Sequence, residues 1–399
     1  MSSSARGQYD VARMITSPMT SEAILANVRA LAPEIQRRAA ETAKLRRIPA
    51  DLVEKLRATG VFRIMFSAKW GGPEMPLPQQ VELFETLAYA DPAVAWAAKI
   101  GSDSGYFCAF LEEKAARELY PSLDYATAGQ APPNGRALRV SGGYRVTGRW
   151  GFASGCTHAD VMVAGCLILD REDAAPREMT FILAPASSFE IEDTWYANGL
   201  AGSGSHHYRA KDLFVPERHA FTLAGPAKIE GPLYADAGSA TVFVPMAGTP
   251  LGLMRRAIDV TIELARENVI ALPPPPTPMR NLPRVKFALA RAQMLFAAAR
   301  SAVYESVSRY WQELLRDGHG SLQARRDMGL ARIHAHRTAR EVAQLLFDTV
   351  GAPAVYESLP LGALLRDAIV INEHLGFNDG VVERLGGMLL GDPPDGAFV

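Results

Sequence analysis

A hydroxyl, two aromatics and several small residues stand together in Arg149-Trp150-Gly151-Phe152-Ala153-Ser154-Gly155, followed by Cys156-Thr157-His158-Ala159-Asp160. Glycine lets a backbone approach a flat aromatic ligand. Trp150 and Phe152 could wall such a ligand, and Ser154 could give it one directional hydrogen bond. The same letters suit a tight strand-to-strand turn whose aromatics merely pack. A second stretch, Gly199-Leu200-Ala201-Gly202-Ser203-Gly204-Ser205-His206-His207, combines glycines with two hydroxyls. It lacks the Gly-Lys-Ser/Thr of a Walker loop and the spacing of a dinucleotide fingerprint. Ser203 and Ser205, with the backbone N–H groups around them, could hold a phosphate or a ring carbonyl; otherwise the stretch is a glycine-rich turn.

Titratable candidates are fewer. His374 and its neighbour Glu373 are possible acid/base groups near a helix end, or simply packed and solvated residues. His206 and His207 are adjacent and diverge in a strand. His334 and His336 are two apart on a helix and also diverge. No His-Glu-x-x-His or similar metal constellation is present in the sequence. Asp103, Ser104 and Tyr106 lie in an otherwise nearly uncharged helical stretch that should be buried. They are its polar groups best placed to face a cavity, with Lys99 one turn from Asp103 and able to pair with it.

Three blocks of pattern must position these residues. Met1–Thr20 is polar and mixed, and reads as an arm. From Ser21 to about residue 125 the spacing is helical, with Asp91-Pro92 a strong helix start and Pro49 and Gly60 bracketing a shorter helix. From 126 to about 230 short β-type runs alternate with turn signals at Asn134-Gly135, Ser141-Gly142-Gly143 and Thr147-Gly148, which predicts an antiparallel β domain. From 231 to 399 helices return, interrupted by Pro273-Pro274-Pro275-Pro276, a stiff extended loop. The class is α+β, with segregated helices and strands.

Composition excludes several functions. A net charge of −1 argues against nucleic acid or an anionic membrane as partner. Three cysteines fit neither a disulfide framework nor a four-ligand zinc site, and a cytoplasmic setting is expected.

Trp-Gly-Phe-Ala-Ser-Gly at 150–155, His158-Ala159-Asp160, Gly-Leu-x-Gly-Ser-Gly-Ser-His at 199–206, Asp212-Leu213-Phe214-Val215-Pro216 and Arg366-Asp367 through His374 together resemble the acyl-CoA dehydrogenase superfamily. Within it they are most similar to the flavin-dependent monooxygenases of two-component systems. The resemblance runs from about Ser21 to Gly391. It implies a helical N-terminal domain, a middle β domain and a C-terminal helical bundle, commonly assembled as a homotetramer. It implies a reduced flavin, FMN or FAD, supplied by a separate reductase, with no metal. Oxygen would be carried as a C4a-(hydro)peroxyflavin onto a small aromatic or heteroaromatic substrate.

By the same resemblance Trp150, Phe152, Ala153 and Ser154 would wall the isoalloxazine, with the Ser154 hydroxyl at its N5 region. Ser203 and Ser205 would face it from a second loop, and Arg280 would reach a phosphate across a subunit interface. His374 would deprotonate a phenol or manage the peroxide proton. Asp103, Ser104 and Tyr106 would line the substrate side, where several members carry a second histidine. An acyl-CoA dehydrogenase with Glu373 as base is the alternative, but the usual Tyr-Glu-Gly-Thr segment is missing and Leu375 falls at its glutamate. A non-catalytic flavin binder would be expected to lose Ser154 and His374, which this chain keeps.

Overall fold

Among the described residues, four of the α-helices start at a side chain that satisfies their first N–H groups: Thr20, Asp91, Ser321 and Asn378. The computed structural model describes residues 19–393 apart from 174, 177, 224, 237–239 and 272–273. Most of the expected arm, parts of the Ala224–Gly238 linker and Pro273 of the proline run therefore lie outside the described residues. Helix α1 (Ser21–Arg37) is capped by Thr20, whose hydroxyl accepts from the Ala23 N–H at 3.2 Å. Then come α2 (Ala39–Leu45), α3 (Ala50–Thr59) and α4 (Leu77–Ala90). Helix α5 (Pro92–Gly101) has Asp91 as cap, accepting from Ala93 and Val94, and Pro92 in its first turn, as its sequence predicts. The apolar stretch beyond it does not continue as one helix. It breaks into α6 (Ser104–Cys108), and α7 (Glu113–Leu119) follows.

The middle block holds β1 (Thr127–Val140), β2 (Gly143–Ala153), β3 (Val161–Leu169), β4 (Met179–Pro185), β5 (Glu190–Glu192), β6 (His206–Pro216) and β7 (Ala220–Phe221). They form one sheet in the order β5-β6-β2-β1-β3-β4-β7. The antiparallel expectation needs correction: the sheet is mixed, because β1 and β3 pair in parallel. The hairpin at Ser141-Gly142 brings the end of β2 back to the start of β1. A strand that begins after a seven-residue connection, on the other side of β1, must then run in the direction of β1. The connection that makes this crossing is Ser154–Asp160.

Two predicted turns are also corrected. Asn134-Gly135 and Thr147-Gly148 lie inside β1 and β2, where Gly135 and Gly148 pair directly. A side chain on either would meet the Trp150 indole, so these glycines clear room for a buried ring.

The last block holds α8 (Ala240–Phe243), α9 (Gly248–Glu267), the short pair β8 (Val269–Ile270) and β9 (Thr277–Pro278), α10 (Pro283–Asp317), α11 (Leu322–Val350), α12 (Leu361–Asn372) and α13 (Asp379–Leu390). Helix α9 lies tightly on α4, since side chains at Gly248 or Gly252 would overlap the carbonyls of Val81 or Glu85. One apolar core therefore runs through both helical blocks, while the sheet keeps a second core around Trp150, Tyr208 and Ile182.

Candidate active site

The crossing connection after β2 begins with a break in the ladder. Pairing with β6 shifts register between Trp150 and Ala153, and Phe152 adopts a left-handed φ of 57°. That conformation is unfavourable for a bulky residue and persists only where the surroundings impose it. The break turns the Phe152 ring outward, 65% exposed, edge-on to Trp195 at 6.2 Å and His207 at 6.3 Å. Trp150, two residues earlier, points into the sheet core. It stacks on Tyr208 at 5.1 Å and its Nε1 donates to the Gly165 carbonyl at 2.8 Å. Trp150 is therefore corrected from ligand wall to core, and Phe152 is the exposed ring.

Beyond Phe152 the Ser154 hydroxyl is buried in a chain of polar groups. Trp96 Nε1, from α5, donates to Ser154 Oγ at 3.1 Å. Ser154 and Ser205 share a hydrogen bond of 2.7 Å, and Ser205 and Ser203 share another of 2.7 Å. Two links use two of the three hydroxyl protons, so the chain keeps one donor for a partner outside itself. Ala153, fully buried, completes the floor.

The Gly199–Ser205 loop is clamped by three elements. The Leu200 N–H donates to Asp367 Oδ1 of α12 at 2.6 Å, and Gly199 lies against the Arg366 backbone. Gly202 lies against Thr42 of α2 and Ala93 of α5, and Gly204 against the Arg46 carbonyl at the end of α2. The Arg366-Asp367 pair thus locks the second loop to the bundle. Asp160 does the same for the first: its carboxylate accepts from the Ala126 N–H and from Arg57 of α3, each at 2.8 Å. Burial pushes the Asp367 carboxyl up to about 6, against the Leu200 hydrogen bond.

His374 follows α12 directly and caps the next turn, its Nδ1 accepting from the Gly376 N–H at 3.1 Å. Its ring meets Trp96 edge-on at 5.5 Å, which joins it to the serine chain. Phe243 and Phe377 flank it at 6.1 and 5.3 Å. Behind them lie Arg332, with its guanidinium 5.8 Å from both phenylalanine rings, and Lys99, 5.6 Å from Phe243. Burial, then the charges of Lys99 and Arg332, push the imidazolium of His374 down to about 3, so the ring is neutral at neutral pH.

The three residues expected on the substrate side fare differently. Asp103 pairs with Lys99 as the helical spacing predicts, through both oxygens at 2.9 and 2.8 Å, and joins the cluster through it. Ser104 does not face a cavity: its hydroxyl bonds to the Gly101 and Tyr125 carbonyls and to Thr127 Oγ1. Tyr106 is fully buried against Phe107 and Phe110. Arg280 is exposed, outside these contacts among the described residues. Glu373 is exposed and outside the cluster, which leaves the dehydrogenase alternative without its base.

Trp96, Phe243 and Arg332 escaped the sequence reading, and His336 entered it only as a metal ligand that its spacing from His334 argued against. Arg332 and His336 had a signal, being polar residues at i and i+4 on the buried, alanine-rich face of a helix. Trp96 and Phe243 look like ordinary core letters. Among the described residues no group of His, Cys, Asp and Glu could hold a metal, and no helix is long and apolar enough to cross a membrane.

Models of the acyl-CoA dehydrogenase N-terminal and C-terminal domains match residues 19–121 and 245–379. Indole-3-acetate monooxygenase of Pseudomonas putida is 30% identical over 385 residues, covering 96% of this chain and 96% of that protein. The flavin-dependent monooxygenase oxygenase subunit HsaA of Mycobacterium tuberculosis is 29% identical over 377 residues, covering 87% of this chain and 90% of that one. XiaF from Streptomyces sp., solved with FADH2 and glycerol, superposes with a TM-score of 0.87 at 23% identity over 95% of this chain and 98% of its own. Phe152 beside a buried serine chain, closed by a neutral histidine, is therefore found in a chain that belongs to the acyl-CoA dehydrogenase family, in its branch of flavin-dependent monooxygenases.

Proposed function

We propose that this flavin-dependent monooxygenase takes its reduced flavin from a separate reductase and hydroxylates a small aromatic or heteroaromatic compound in the space between Phe152, the serine chain and His374. The observation that carries this reading is the Trp96–Ser154–Ser205–Ser203 chain, which ends beside His374 with one hydroxyl proton unused by its own links. That donor set fits a flavin ring, whose N5 edge and carbonyls need both donors and acceptors. Phe152 supplies an exposed aromatic wall for the ring. Arg280 reaches the cofactor phosphate of a neighbouring subunit in a cytoplasmic homotetramer.

The flavin supplies the electrons that activate oxygen; the chain supplies orientation, dryness and proton placement. Ser154 Oγ accepts the Trp96 hydrogen bond and donates its own O–H in a hydrogen bond, to Ser205 or to the ring. The apolar enclosure of Trp96, Phe243 and Phe377 excludes water. His374 has Nδ1 occupied as an acceptor, so its neutral form holds the proton on Nε2. It therefore carries its hydrogen on the side away from Gly376, and managing a proton is its role rather than abstracting one from a phenol.

The test is rapid mixing of the anaerobic complex of protein and reduced flavin with O2. Slow, staged flavin reoxidation with oxygen incorporated into an aromatic acceptor is expected. Immediate single-step reoxidation, together with bleaching of oxidised flavin by an acyl-CoA, would overturn the reading.

A further inference from the structure

We infer that His336 is the acceptor that receives the substrate's own proton-bearing heteroatom, a ring N–H of indole type or an O–H of phenol type. The inference rests on the monooxygenase reading of the site above.

His336 lies on α11 with 0% of its surface exposed. Its Nδ1 is 2.8 Å from the Arg332 carbonyl. A carbonyl only accepts, so Nδ1 carries the hydrogen and the neutral ring leaves a lone pair on Nε2. That Nε2 is buried and without a hydrogen-bond partner among the described residues. Leaving a buried acceptor so is costly, and native sites usually fill it with a ligand or water. The Nδ1 edge faces the helix's own backbone, so the Nε2 edge is turned away from it.

The ring belongs to the cluster around His374. It stacks on Phe377 at 3.6 Å, and Phe377 in turn meets His374 at 5.3 Å. Asn372, two residues before His374, donates to the His336 carbonyl at 2.9 Å and holds the two helices in register. The other candidates for this task are occupied. Ser104 has three partners, and both Asp103 oxygens are held by Lys99. His336 thus presents a lone acceptor beside the His374 cluster, which matches a substrate that carries a hydrogen on a ring or ring-bound heteroatom. Burial pushes the His336 imidazolium down to about 3. The residue therefore orients the N–H or O–H without removing its proton.

The test uses the full chain loaded with reduced flavin under anaerobic conditions. Binding of indole is compared with 1-methylindole, and phenol with anisole, in the wild type and in His336→Asn, which retains a donor for the Arg332 carbonyl. The wild type is expected to prefer the hydrogen-bearing member of at least one pair by roughly 10- to 100-fold, and the variant to lose most of that preference. The pair with the larger preference identifies N–H or O–H. Equal preference in wild type and variant, or no preference in the wild type, overturns the inference. Ring 15N spectra of histidine-labelled wild type give a second reading that needs no variant. The His336 Nε2 resonance should move with the hydrogen-bearing ligand and stay with its methyl analogue; a resonance that ignores both overturns the inference as well. Oxygen incorporation by the wild type is scored separately. Its absence would sink the monooxygenase reading, whereas the binding and 15N results judge His336.

Discussion

At the scale of residues, Ser154 has two jobs that a substitution separates. It accepts the Trp96 N–H, and it carries the hydroxyl chain toward the ring site. Ser154→Ala leaves a buried indole N–H without its acceptor, a cost of about 1–3 kcal/mol. It also removes the polar contact that should keep the reaction coupled. The expected outcome is a rise in hydrogen peroxide released per O2 consumed and a matching fall in hydroxylated product, each by about 10-fold or more, with the flavin still bound. Ser154→Thr, which keeps the hydroxyl, should restore much of the coupling. Peroxide and product are measured in the same reaction; unchanged coupling in the alanine variant removes Ser154 from this role.

At the scale of elements, the site depends on loops pinned by partly buried carboxylates. Asp367 of α12 holds the Gly199–Ser205 loop through Leu200, and its burial raises its carboxyl to about 6 from an ordinary value near 4. Between these values the folded chain binds more protons than the unfolded chain. Stability from this group is therefore full below about pH 4, falls as pH rises toward 6, and is level above. Asp91 is raised to about 7 by burial first and by Asp367 second, so it adds to the same trend. Asp367→Asn keeps an oxygen for Leu200 and removes the charge. Urea unfolding at pH 4.5 and pH 7 should show the variant gaining on the wild type by on the order of 1–2 kcal/mol at the higher pH. Parallel pH profiles would reject the assignment.

At the scale of the whole molecule, α10 carries an apolar face that the single chain leaves uncovered. Phe287 and Met294 are seven residues apart on one side of the helix, and each is 67% exposed. Exposed large apolar residues clustered on one helix face mark an association surface. In the homotetramer proposed above, this face is expected to meet another subunit. Phe287→Glu combined with Met294→Glu should shift the mass measured by light scattering toward smaller species. An unchanged mass would place the subunit contact elsewhere.

Much of this molecule was legible in its letters. Asp91-Pro92 announced α5, the Gly- and Ser-containing motifs located both loops, and the spacing of Lys99 and Asp103 anticipated their pairing, because caps, turns and helical neighbours are set by residues close in the chain. What lay beyond reach depends on partners far apart in sequence. Trp150 looked like ligand wall until Gly135 and Gly148 were seen to open a slot for it in the sheet. The parallel pairing of β1 and β3 followed from where β2 ends, which no local turn signal records. Ser104 read as a free polar group until Tyr125 and Thr127 closed on it. By itself the sequence determined the order of helices, sheet and bundle, the family motifs and the residues able to do chemistry. Tertiary structure decided which of those residues meet, bringing Trp96 to Ser154 and His336 beside His374, because burial and hydrogen-bond partnership belong to the packed chain and not to any one stretch of it.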